Sequence, residues 1–220
     1  MSSVAKHIRE EPVPRRPGFV LGHQHSKLLP SLFQWLDVGQ RLNVLNIGPA
    51  LPETVDFFAD AKCRLHFSDL FGERFVREEQ QSWSEAELRN AFEDCLSFPA
   101  GTRLDLCFFW DFLCYLDDAA LRAFDAALRP WLHAGTRAHG FGVHHMAIRL
   151  ENRHYGIVRS DTLSLRERRF AAMTQHPHSQ GEMQDLFGGF HFERGVLLAD
   201  GKLELLMKSA SRPDIGTAAR

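Results

Sequence analysis

The sequence carries no Cys-x-x-Cys pair, no run near the ~20 apolar residues of a membrane-spanning helix, and no marked excess of either charge. Each absence removes a class of function. Cys63, Cys95, Cys107 and Cys114 stand apart, mostly within or beside apolar stretches, where a thiol behaves as a small hydrophobe. They read as reduced core residues of a cytosolic protein rather than a disulfide framework. The first residues lack the apolar run of a secretory signal, so the expected location is the cytoplasm with no membrane partner. A net charge of −2 exerts no global pull on nucleic acid. No Gly-Lys-Ser/Thr phosphate loop and no Gly-x-Ser-x-Gly elbow is present, so phosphoryl transfer and serine hydrolysis have no support. His23-Gln24-His25 and His176-Pro177-His178 lack a Cys or carboxylate cluster at metal-site spacing, and no metal is expected.

What is present is an ordinary globular composition, 44% hydrophobic and 25% charged over 220 residues, enough for one large core. Residues 1–20, polar and dotted with Pro12, Pro14 and Pro17, read as an N-terminal arm, and residues 211–220 as a tail. Between them the pattern alternates. Helical spacing over Ser26–Leu36 leads to a buried strand over Leu42–Ile47, stopped by Gly48-Pro49. A helix over Glu53–Ala61 faces Val55, Phe57 and Phe58 inward, and a short strand covers Arg64–Phe67. Ser84 and Glu87 form a capping box at the head of a helix over Ser84–Phe92. Leu104–Trp110 is almost continuously apolar, as a central strand buried on both faces must be. An amphipathic helix over Asp117–Leu132 and a strand over Gly135–Val143 follow. A charged insert at about 149–178 reads as a helix with loops, and a further helix spans Gly181–Leu186. Two apolar runs, Phe190–Leu198 and Lys202–Lys208, flank Ala199-Asp200-Gly201, a hairpin signal. The expected fold is therefore α/β, a mostly parallel sheet closed by an antiparallel C-terminal hairpin, in one domain over residues 21–210.

One constellation carries chemistry. The first of these strands ends at Asn46-Ile47-Gly48-Pro49-Ala50, and a glycine at a strand-to-helix turn lets backbone approach a ligand closely. Asp69 follows at the tip of the next strand, where a carboxylate can accept both hydroxyls of a ribose. Asp94-Cys95 precedes the strand Leu104–Trp110, which ends in Trp110-Asp111. In this order the features resemble the class I S-adenosylmethionine-dependent methyltransferases, from about Leu42 to Lys208.

The resemblance implies a Rossmann-like three-layer sandwich, adenosylmethionine as cofactor, and methyl transfer to a small-molecule or protein acceptor. It places Asn46, Gly48, Pro49 and Ala50 beside the methionine part of the cofactor. Asp69 falls on the ribose, Leu70 on the adenine face, Asp94 and Cys95 on the adenine edge, and Trp110 and Asp111 at the mouth. It names no catalytic residue, because a sulfonium is already a good leaving group and alignment is most of the work. The chain departs from the family in its loop: Asn46 replaces an acid, Ala50 a glycine, and Pro52 another glycine, losing an N–H. Those departures support the alternative, an inactive methyltransferase-like scaffold that serves as a binding or assembly partner. His144 and His145, past a strand tip, are candidate bases or plain loop residues. The arginines from Arg149 to Arg169 either recognise an acidic group or form a solvated face.

Overall fold

The computed structural model describes residues 18–34, 40–78, 80–143, 145 and 147–210. Nearly all of the N-terminal arm and the whole C-terminal tail lie outside them. The strands are β1 (Val20–His25), β2 (Leu42–Ile47), β3 (Cys63–Ser68), β4 (Leu104–Trp110), β5 (Leu132–Gly142), β6 (Arg153–Arg159), β7 (Thr162–Glu167), β8 (Phe190–Leu197) and β9 (Leu203–Ser209). The α-helices are α1 (Leu29–Gln34), α2 (Pro52–Phe57), α3 (Arg74–Arg77), α4 (Glu85–Cys95), α5 (Asp118–Leu128) and α6 (Gln180–Leu186).

Six strands form the main sheet in the order β3-β2-β4-β5-β9-β8. β3, β2, β4 and β5 pair in parallel, whereas β9 runs antiparallel to both neighbours. The turn before β9 needs Gly201, whose φ of 85° lies in the left-handed region. Alternate side chains of β4 feed two cores: Cys107 and Phe109 face one, and Leu106, Phe108 and Trp110 the other, with Leu104 joining the first across an irregularity in register. The first core is covered by α4, α5 and α6, and the second by α1, α2 and a small antiparallel sheet, β1-β7-β6.

Ser84 and Glu87 form the expected capping box of α4; the structure adds two caps, Asp117 accepting from the Ala120 amide at 2.9 Å and Ser179 with Glu182 making a second box on α6.

The structure corrects four expectations. The charged insert is no helix: it is the hairpin β6–β7, with Tyr155 and Ile157 on one strand and Leu163 and Leu165 on the other supplying a period of two to the core. Val20 belongs to β1, which lays the end of the expected arm against β7 as a third strand. Val55 is 43% exposed, because β6 docks on a different side of α2. The helix expected over Ser84–Phe92 runs on to Cys95 as α4, so Asp94 and Cys95 lie in its last turn.

Candidate functional site

At the C-terminal ends of β2 and β4, where the sequence places a crevice, the chain packs its own side chains around Gly48. Gly48 leaves β2 with φ 124°, and its amide donates to the Ser68 carbonyl at 2.7 Å, which sets the loop against the tip of β3. Directly over Gly48, an added Cβ would meet Phe71 at 3.7 Å, the Asn46 side chain at 3.8 Å and His154 at 3.9 Å. Phe71 comes from the 3-10 turn Leu70–Gly72 behind Asp69, and His154 from β6.

Asn46 is buried, and its Oδ1 accepts from Trp110 Nε1 at 3.1 Å. Trp110 itself has φ 52°, a conformation that costs a non-glycine residue about 1–3 kcal/mol. The Asn46 bond and two stacked neighbours hold it there: Phe108 at 5.2 Å and 12°, and Tyr155 at 5.7 Å and 17°. The indole therefore lies in a sandwich of its own chain.

Asp111 and Arg168 form an ion pair at 3.0 Å with both side chains fully buried. Tyr115 donates its hydroxyl to the second Asp111 oxygen at 3.1 Å. The guanidinium lies 3.8 Å over the Phe71 ring and donates again to the Arg153 carbonyl. Its Nε is buried without a partner. A second arginine ties the hairpin down on the helix that follows Gly48: Arg166 makes a two-point contact with Glu53 at 2.7 and 2.9 Å, and Ser164 donates to the same carboxylate. Burial alone would raise the Glu53 carboxyl; the Arg166 and Ser164 bonds outweigh it and hold it below its ordinary value. Gly156 lets the strand come this close, since a Cβ there would sit 2.6 Å from Glu53 and 2.7 Å from Ser164 Oγ. Ile157 N–H then bonds Thr54 Oγ1 at 3.0 Å.

Burial first, and the Arg168 charge second, push His154 down to about 3. It is neutral through the physiological range and serves as packing, not as a base. Unfolded His154 takes a proton below about pH 6.5 while the folded ring refuses it until about 3, so this group weakens the fold steadily as acid is added across that window. Nitrogen NMR of the ring is expected to show no titration between pH 8 and 4, and a midpoint near 6 would refute the packed position.

Of the residues that the sequence singles out, Asn46, Gly48, Trp110 and Asp111 are all buried; Asn46 and Trp110 bond each other, and Asp111 bonds Arg168, just past β7. Leu70 is buried in the neighbouring core. Ala50 and Asp69 are exposed, and Pro49 partly so. Cys95 reaches the β3 tip, where its carbonyl accepts from Ser68 Oγ at 3.3 Å, whereas Asp94 faces solvent on α4. Phe71, Tyr115, His154, Tyr155 and Arg168 also meet here, and no local motif marks them. The arginine-rich run was the one signal for them, and the acids it meets are the chain's own. His145 is exposed and accepts the Ala147 amide at 3.1 Å, and His144 lies outside the described residues. Among the described residues no group of three His, Cys, Asp or Glu side chains is placed to hold a metal ion, and no helix is long and apolar enough to cross a membrane.

Two of the positions that the resemblance assigns to adenosylmethionine are already engaged within the chain: Asn46 Oδ1 by Trp110 and the Asp111 carboxylate by Arg168.

No protein-family model matches the chain, and no curated protein matches its sequence. Solved structures do match it. It is similar to the pyocyanin biosynthetic protein PhzM (15% identity, 83% of this chain and 54% of that chain, TM-score 0.45). It is similar to the glycopeptide N-methyltransferase MtfA in complex with S-adenosylmethionine (13%, 84% and 95%, 0.43). A third likeness is to the N-methyltransferase NodS from Bradyrhizobium japonicum WM9 (17%, 84% and 94%, 0.45). The chain thus spans about half the length of PhzM. At such identities and TM-scores the likeness carries no residue role. The parallel strands, the reversed β9 and the layers on both faces make the fold a Rossmann-like α/β sandwich.

Proposed function

We propose that the chain is a methyltransferase-fold binding module that does not take up adenosylmethionine, its cofactor crevice being occupied by its own β6–β7 hairpin. The fully buried Asp111–Arg168 pair carries this reading. An acid at the mouth of the crevice is neutralised by a tethered cation, and Phe71 stacks beneath that cation where a nucleoside would need room. The loop supports it too: Pro52 offers no N–H, and Ala50 adds a methyl where a glycine would leave a gap. A domain of this size keeps a rigid surface without cofactor chemistry, and a protein partner is the natural role for it.

The test is calorimetric titration with S-adenosylhomocysteine, paired with thermal unfolding. No heat and no change in Tm are expected. A true ligand at about 100 times its Kd would add about 2.7 kcal/mol and raise Tm by roughly 5–10 °C. Micromolar binding that disappears in Asp69→Ala would overturn the proposal and restore methyl transfer as the reading.

A further inference from the structure

Where β5 ends, on the face of the sheet that α6 covers, lies a small pocket at the kind of strand terminus where open α/β sheets receive ligands. Among the described residues its walls are chiefly Val143, His178, Met183, Phe192, Leu203 and Leu205. We propose that this pocket binds a short-chain aliphatic alcohol, its hydroxyl donating to His178 Nδ1 and its carbon atoms lying on Phe192 and Leu203.

His178 is oriented by an acid. Its side chain is 6% exposed, and Nε2 lies 3.2 Å from Asp118 Oδ1. A carboxylate only accepts, so Nε2 carries the proton and Nδ1 of the neutral ring is left as a bare acceptor. Nδ1 is buried, and no described residue donates to it. A buried acceptor without a donor is costly, and this one belongs to a ring fixed through its other nitrogen. The missing partner is therefore a donor. It is a neutral one, because no Lys, Arg, Asp or Glu lines the pocket among the described residues to balance a charge.

The sheet shapes the apolar half. β8 pairs Phe192 with Met207 and Arg194 with Leu206, so Glu193 is an extra residue in a bulge. Phe192 stays on the α6 side with Met207, whereas Arg194 follows Leu206 to the opposite side, away from the pocket. Phe192 and Leu203 are half-buried and keep surface for a ligand, while Val143, Met183 and Leu205 are buried and form the back wall. An added Cβ on Gly142 would come within 3.1 Å of Leu205, so glycine keeps this wall clear. The free space, about 20 Å³, admits one or two groups of water size, which suits a hydroxyl and a methyl. The pocket shares no residue with the cluster around Gly48, and its chemistry is independent of whether that cluster admits a nucleoside.

Propan-2-ol is the probe, followed at pH 8 by the Met183 methyl signal and the nitrogen signals of the His178 ring in the full chain. Saturable shifts with a dissociation constant on the order of 10 mM are expected for so small a ligand. Acetone has nearly the same shape but no donor, and should bind roughly tenfold more weakly or worse. His178→Phe keeps a ring of similar size and should erase the difference between the two probes. Asp118→Lys, at an exposed position, should erase it too, because an ammonium only donates to Nε2 and sends the ring proton to Nδ1. Shifts that do not saturate, acetone binding as tightly as the alcohol, or a preference that survives either substitution would overturn the assignment. Should a variant unfold, the comparison of the two probes on the wild-type chain decides it alone.

Discussion

Asp111→Ala should destabilise the fold by about 3–5 kcal/mol, because it leaves the Arg168 charge buried with no counter-ion. For a domain of this length that corresponds to a fall in Tm on the order of 10 °C, measurable by calorimetry or urea unfolding. Part of the loss comes from the Tyr115 hydroxyl, which also donates to Asp111. The paired control is Asp111→Leu with Arg168→Met. Apolar side chains of similar volume need no mutual charge, and exchanging a whole buried pair is often neutral. The double variant should therefore recover most of the loss. A cost below about 1 kcal/mol for Asp111→Ala alone would mean that the pair is solvated and the hairpin stands away from the crevice. That result would also remove the main support for the proposed loss of cofactor binding.

Glu204→Gln is expected to cost roughly 3 kcal/mol at pH 7 and progressively less as acid is added. The Glu204 carboxylate is buried between β9 and the start of α1. His139 Nε2 lies 2.9 Å away, Ser26 donates to it, and the Lys27 and Leu28 amides donate at 2.9 and 3.2 Å. Burial alone would raise this carboxyl. The bond and charge of His139, with Ser26 and the Lys27 amide, outweigh burial and hold it down at about 2. Above about pH 4.5 both folded and unfolded states are ionised, and the donors contribute in full. Between 4.5 and 2 the unfolded state gains a proton that the folded state refuses, so the contribution declines, and below 2 it is gone. The slope from His154 occurs in both proteins and cancels from the difference. Urea unfolding of wild type and variant at pH 7, 5 and 3 reads the gap directly. A gap that stays constant with pH would show that the residue anchors α1 by packing alone.

Both predictions concern contacts that no local reading of the chain supplies, and the contrast with what was legible is informative. The turn at Gly48, the apolar run of β4 and the Asp200-Gly201 hairpin are each determined by residues within a few positions, and each formed where the pattern placed it. The capping boxes of α4 and α6 are equally local. The hairpin β6–β7 is hard to read from the sequence for a physical reason. Its polar side pairs with acids and is charge-rich, so composition pointed to a solvated helix while the alternation Tyr155, Ile157, Leu163, Leu165 marked strands. The bulge at Glu193 leaves even less trace, since one inserted residue changes which face a side chain takes without changing composition.

Acting within short windows, the sequence determined a parallel sheet with a reversed strand, the glycine turn at its switch point and the acid beyond it. The tertiary structure alone decided what became of that crevice. Arg168 meets Asp111 57 positions away, Arg166 meets Glu53 113 positions away, and Asn46 meets Trp110 64 positions away. Periodicity and turn chemistry are properties of neighbours along the chain. Which buried acid an arginine neutralises depends on strand faces and helix ends brought together by packing, and here they set Arg168 on Asp111 and Arg166 on Glu53.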